Sequence, residues 1–185
     1  FYLKLLLLVL LAFGRTLNAT DNFCTSASTA SCHITTTTTI TFADPISQIK
    51  GESFAVYVED TADGSILNFK DLLINSNSGI GLDLQSSNNT ITLDNISDNA
   101  PQTTGSIGLQ LNASSDNNIT VDGNIAVIKN GSNEIFFNNS NNNTFSMTGN
   151  LSNAAGGGGG NNGTSIQFTD SDANDFTLVG TIINA

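Results

Sequence analysis

The sequence predicts an all-β solenoid, a parallel β-helix of about five coils of about 26 residues behind an N-terminal cap, and three observations carry that expectation. Counted from Ile135, apolar anchors fall at offsets 0, 2, 10, 12 and 16 (Ile135, Phe137, Phe145, Met147, Leu151), with Asn143 at offset 8 and Gly149 at offset 14. The same seven positions recur without respacing in Leu109, Leu111, Asn117, Ile119, Val121, Gly123, Ile125 and again in Ile166, Phe168, Asn174, Phe176, Leu178, Gly180, Ile182. Between anchors, short stretches alternate apolar and polar residues and end in Asn, Ser, Asp or Gly turns, without a long run of helical period. One unit is then one coil. Stacking coils about 4.8 Å apart pairs each strand with its equivalent in the next and turns the anchors inward.

Composition narrows the class. Of 185 residues 11% are charged, under half the roughly 25% of an average globular chain, and the net charge is -11. A charge-rich disordered chain is excluded. Nucleic acid is not an expected partner, because phosphate binding needs clustered cations and the basic side chains after residue 19 are Lys50, Lys70 and Lys129.

Residues 1–19 hold Lys4, apolar Leu5 to Phe13, Arg15 and a Leu17-Asn18-Ala19 ending, which reads as a secretory signal peptide cleaved after Ala19. The run is too short for the roughly 20 residues that span a bilayer. Export makes a disulfide between Cys24 and Cys32 the expected state, worth about 2 to 3 kcal/mol for so short a loop. His33 beside Cys32 gives two Cys and one His without a fourth ligand, so no metal site is expected there. Ile34 to Phe42 alternates Thr with Ile, Thr and Phe and reads as one strand, ended by Asp44-Pro45. Residues 20–50 are thus expected to cap the first coil of a solenoid occupying 51–185.

The early units are imperfect. Val56, Val58 and Ile66 stand at offsets 0, 2 and 10, with Gly64 at offset 8 and Leu72 at offset 16. Leu82, Leu84, Ile91, Leu93 and Ile96 form a unit one residue short in its first turn and one short after Leu93. First anchors Val56, Leu82, Leu109, Ile135 and Ile166 give steps of 26, 27, 26 and 31, the last lengthened by the Gly-rich run at 154–163, read as a loop insertion. Ile66, Ile91, Ile119, Phe145 and Phe176 are expected to form one inward column. The exchange of Gly64 for Asn89, Asn117, Asn143 and Asn174 suggests a left-handed corner at offset 8, where the amides stack as a ladder. The glycines at offset 14 suggest a second corner.

The units Gly81-Leu-Asp-Leu-Gln-Ser-Ser-Asn-Asn-Thr-Ile-Thr-Leu and Gly108-Leu-Gln-Leu-Asn-Ala-Ser-Ser-Asp-Asn-Asn-Ile-Thr-Val resemble passenger repeats of bacterial autotransporters, which are similar to pectate lyases as right-handed parallel β-helices. The resemblance covers about residues 51–185. It implies a right-handed coil and a place outside the cell or on the outer membrane, reached through a carboxyl-terminal β-barrel. No barrel occurs in this sequence, so the expectation is a piece of a longer passenger or another export route. Such repeats serve adhesins, surface layers and enzymes alike.

Chemistry separates these roles. A pectate-type lyase needs a cationic base and acidic Ca²⁺ clusters, and no Arg follows Arg15. Hydrolysis needs paired carboxylates. Asp170, Asp172 and Asp175, like Glu59, Asp60 and Asp63, each fall within the turns of one coil and read as solvated turn residues. The expectation is an adhesive or structural spacer module, not an enzyme, with no catalytic residues, cofactor or metal and with a host or cell-surface glycan or protein as partner. A polysaccharide-active enzyme is the alternative. Ice binding is a minor one, resting on an outward column of Thr92, Thr120, Ser146 and Thr177 flanked by Thr90, Asn118, Thr144 and Asp175. Sequons such as Asn88-Asn-Thr and Asn118-Ile-Thr could carry glycans in a eukaryotic secretory pathway, and also arise by chance in a composition rich in Asn, Ser and Thr.

Overall fold

The computed structural model describes residues 23–49, 51–75, 79–99, 106–128, 133–154 and 164–184. The proposed signal peptide and most of the Gly-rich insertion lie outside them. Coil by coil the strands are β1 (Cys32–Ile34), β2 (Thr39–Thr41) and β3 (Ile46–Ser47), then β4 (Phe54–Val58) and β5 (Ile66–Ile74), then β6 (Ile80–Leu84) and β7 (Thr90–Asp98). They continue as β8 (Ile107–Asn112), β9 (Asn118–Val121) and β10 (Ile125–Ile128), β11 (Asn133–Asn138), β12 (Thr144–Thr148) and β13 (Leu151–Ala154), and β14 (Thr164–Thr169), β15 (Asp175–Val179) and β16 (Ile182–Asn184). Pairing runs between coils and is parallel. The first sheet stacks β1, β4, β6, β8, β11 and β14, and the second carries the remaining strands in the same coil order. The parallel β-solenoid read from the sequence is therefore the fold.

Register follows the anchors. Leu82 pairs with Leu109, Leu109 with Ile135 and Ile135 with Ile166, so the lengthened step does not slip the ladder. Val56, Leu82, Leu109 and Ile135 are fully buried, as are Val58, Leu84, Leu111 and Phe137 in the next column. Each fully buried side chain of this size stabilises by roughly 1.5 to 3 kcal/mol before entropy is counted. Phenylalanines in register stack: Phe145 lies 4.7 Å from Phe176 with rings 8° apart, and Phe137 lies 4.8 Å from Phe168. In the last described coil Phe168 is 44% exposed and Ile182 47%, since its described neighbours lie on one side only.

Three local expectations change. Ile66 is 45% exposed and pairs with Thr90, while Leu67, fully buried, pairs with Ile91 and takes the place in the inward column, behind Ile40. A 3-10 turn at Asp60–Ala62 adds one residue before it, and the missing corner glycine removes one after it, so Leu72 still falls on its anchor. Ile34 to Phe42 is not one strand. The chain turns at Thr35 to Thr38 and passes from the first sheet to the second, held there by Thr61 Oγ1 donating to the Thr35 carbonyl at 2.7 Å and Thr37 Oγ1 to the Asp63 carbonyl at 2.7 Å. The predicted cap segment thus supplies a coil of its own.

The corners differ from expectation as well. Left-handed φ falls one residue before the ladder, at Gly64 (+76°), Asn88 (60°), Asp116 (58°), Asn142 (56°) and Ala173 (54°), and also at Ala113, Asn139 and Asp170. The glycines at offset 14 are needed for close approach instead. A Cβ on Gly149 would stand 2.0 Å from the Gly123 carbonyl oxygen, and one on Gly180 1.7 Å from that of Gly149. Coils that lack this glycine run through the bend as nine-residue strands, β5 and β7, whereas those that have it break into β9 and β10 or β12 and β13.

Candidate binding faces

Three side-chain systems run along the stack: a buried corner ladder, a hydroxyl-bearing face on the second sheet and an aromatic and amide face on the first. The corner holds Asn89, Asn117, Asn143 and Asn174. Asn89 donates its backbone N–H and its Nδ2 to Asn117 Oδ1, both at 2.9 Å, Asn117 does the same to Asn143 at 3.0 and 2.9 Å, and Asn143 to Asn174 at 2.9 and 3.0 Å. Ser65, rather than Gly64, continues the column, accepting from the Thr38 amide and donating its own to Asn89 Oδ1 at 2.8 Å. The short Ser hydroxyl fits because the 3-10 turn already brings its own coil close, and Ser65 Oγ donates back to the Ala62 carbonyl.

Other ladders flank it. Ser140 and Ser171 hydroxyls accept from the Ser114 and Ser140 amides at 3.1 and 3.0 Å. Asp63 Oδ1 accepts from the Ser87 amide and Asn141 Oδ1 from the Asp172 amide, each at 2.6 Å. At the glycine bend Asn95, Asn124 and Asn150 Oδ1 accept from the next coil's backbone at 2.8, 2.9 and 3.0 Å. Backbone donors at the turns, most of them exposed, thus find side-chain acceptors in a neighbouring coil. The acidic turn residues Asp63 and Asp172 belong to this scaffold, and Asp175 stands exposed on the second sheet.

On the second sheet the expected outward column is in register and longer than read: Thr41, Asn68, Thr92, Thr120, Ser146, Thr177. Its neighbour runs Thr39, Ile66, Thr90, Asn118, Thr144, Asp175. Asn68 Nδ2 donates to Thr41 Oγ1 at 3.2 Å.

The first sheet's outward face was not singled out from the sequence. Its centre column is His33, Tyr57, Asp83, Gln110, Phe136, Gln167, in continuous register. Phe54, Ile80, Ile107 and Asn133 flank it on one side. On the other, Tyr57 OH donates to Gln85 Oε1 at 2.8 Å and Asn138 Nδ2 to Asn112 Oδ1 at 2.8 Å. His33 packs edge-on against Phe54 at 4.7 Å and Tyr57 at 5.4 Å, with its Nδ1 3.7 Å from Glu59 Oε1.

Asp83 is 8% exposed, flanked by fully buried Leu82 and Leu84, and its Oδ1 has no hydrogen-bond partner. Burial pushes its pKa up to about 6, with the Gln85 side chain pulling the other way. Burial also raises Tyr57, helped by the nearby charges of Asp83, Glu59 and Asp60. Glu134, fully buried beside Gly108 in the ladder, is raised by burial against the pull of its own amide and Ser165.

At the N-terminal end Cys24 and Cys32 form the disulfide, with Cα atoms 5.0 Å apart. It pins the segment whose Phe23 and Ala30 bridge to His33 and Ser47, beside a cleft lined by Phe23, Cys24, His33, Ile34, Thr36 and Ile40 among others. Among the described residues no three His, Cys, Asp or Glu side chains converge as a metal-ligand group. The fold and these faces define a parallel β-solenoid with laddered polar sides. Comparison with protein families, curated proteins and solved structures finds no match.

Proposed function

We propose that this chain is an exported, surface-exposed β-solenoid acting as an adhesive or structural spacer module, without catalysis, of the kind found in autotransporter passengers. The observation that supports this most is the continuity of the ladders. Strand pairs, supplemented by stacked Asn, Ser and Phe side chains, bind every described coil to the next, which makes a rod whose sides carry in-register columns. A disulfide in the first coil fits an oxidising compartment such as the cell exterior. The partner is a surface glycan or protein. Beads coated with the purified chain should adhere to cells or glycan-coated surfaces while releasing no reducing ends from polysaccharides. Depolymerase activity lost on substitution of Asp83 would replace this reading with the enzyme.

A second reading has the in-register hydroxyl column behind it: the flat face of Thr92, Thr120, Ser146 and Thr177 orders water and binds ice. Thermal hysteresis that disappears in Thr92→Lys plus Thr120→Lys would support it, and no hysteresis in the parent chain ends it.

A further inference from the structure

We propose that the outward face of the first sheet is the adhesive surface and that it takes an uncharged polysaccharide chain lying along the solenoid axis, a proposal that rests on the adhesive reading above. Shape comes first. The centre column spans six coils in unbroken register, a straight stripe of roughly 24 Å at the ordinary strand spacing. The ligand that matches it is extended and repeating rather than compact.

The chemistry of the stripe is two-sided. Half-exposed Tyr57 and Phe136 stand three coils apart, about 14 Å, beside the apolar edge of Ile80 and Ile107. The other edge carries amides, with Gln85 and Asn112 held in place by Tyr57 and Asn138. A chain of pyranose rings has the complementary division: C–H faces that pack on aromatic and aliphatic side chains, and hydroxyl edges that both donate to and accept from amides.

Charge selects among polysaccharides. The stripe carries Glu59 and Asp83 and neither Lys nor Arg, and its His33 already faces Glu59 at 3.7 Å, so uronate, sulfated and sialylated chains meet carboxylates without a free counter-charge. The Asp83 carboxylate adds a demand for donors. It is more than nine-tenths buried beneath this face, and its Oδ1 lacks a partner. A ligand hydroxyl that reaches Oδ1 would supply the missing donor, and such an acceptor is costly to leave unmet. A peptide strand fits less well. Strand addition needs an open sheet edge, whereas this is the middle of a sheet whose backbone groups are already paired.

The test is affinity electrophoresis of the full chain through gels holding a neutral β-glucan, a galactomannan or a xylan, with polygalacturonate and heparin as anionic comparisons. At least one neutral gel should retard the protein more than both anionic ones. Tyr57→Ser and Phe136→Ser should each weaken that retardation roughly five- to tenfold, the loss of one ring contact, and Gln110→Ala should weaken it with no change in the melting temperature. Thr92→Lys plus Thr120→Lys, on the second sheet, should leave it intact. Retardation unaffected by all three first-sheet substitutions, or no retardation by any neutral gel, overturns the proposal. If bead adhesion to cells persists without neutral-glycan retardation and is abolished by protease treatment of the cells, the partner is a protein and only the glycan inference falls. Release of reducing ends during the run would sink the non-enzymatic reading instead.

Discussion

Asn117, 2% exposed, accepts two hydrogen bonds from Asn89 through its Oδ1 and donates from Nδ2 to Ser114 Oγ and Asn143 Oδ1. Asn117→Ala leaves the Asn89 backbone N–H and one of its two Nδ2 protons without an acceptor, the other staying on Ser86 Oγ, in a place water does not reach. The expected cost is about 2 to 4 kcal/mol, read as a lowered urea midpoint, and Asn174→Ala at the half-exposed end of the ladder should cost less. Asp83 works against stability in the opposite sense to a salt-bridged carboxylate. Its folded pKa of about 6 exceeds the ordinary 3.8, so between those values the folded chain holds a proton that the unfolded chain has released. The stability associated with it is full below pH 4 and is lost as the pH rises through 6, by at most about 3 kcal/mol. Asp83→Asn should therefore raise the melting temperature at pH 7 and flatten the fall between pH 4 and 6.5. Glu134 shifts in the same direction and would leave part of the slope behind.

Among the elements, the two kinds of glycine separate cleanly. Gly149→Ala must push a methyl into the Gly123 carbonyl at a bend where two coils touch, and the expected loss is about 3 kcal/mol or more, with β13 displaced from β10. Gly64→Asn should change stability by less than about 1 kcal/mol, because its left-handed φ suits Asn and a Cβ there meets nothing closer than Thr37 Cγ2 at 3.9 Å. Parallel denaturation curves check both. Spacing made the anchors legible in the sequence, since burial repeats along the chain with the coil. It concealed the switch from Gly64 to Ser65, because the extra residue of the 3-10 turn and the absent bend glycine cancel by Leu72. The face of Tyr57, Asp83 and Phe136 was concealed for a different reason. Successive members Tyr57, Asp83, Gln110 and Phe136 lie 26 or 27 positions apart and are four different residue types, so only register brings them together.

As a whole the molecule should lose or gain a coil as a unit. Asn133 pairs with Ile107 and Ile107 with Ile80, so deleting 107–132 joins Ser106 to Asn133 and sets β11 against β6 with anchors matched, Leu82 to Ile135 and Ile91 to Phe145. The shortened chain should fold with unchanged β-type circular dichroism, and small-angle scattering should show a rod shorter by about 4.8 Å. Collapse to a molten or aggregated state would mean that the coils are not interchangeable. The Asn ladder should survive the splice, with Asn89 donating directly to Asn143.

The constant register also governs how fast the chain can order. Native partners sit about 26 residues apart whether they belong to β4 and β6 or to β8 and β11, so the search for each new coil closes a loop of one size. Spread over 185 residues that separation corresponds to a relative contact order of about 0.14, closer to mixed α/β domains than to Greek-key sandwiches. Lengthening one loop by five residues, as between Ile135 and Ile166, adds only tenths of a kcal/mol to closure. Assembly then resembles a zipper with equal teeth, in which a weak coil delays those beyond it without obliging the completed ones to reopen.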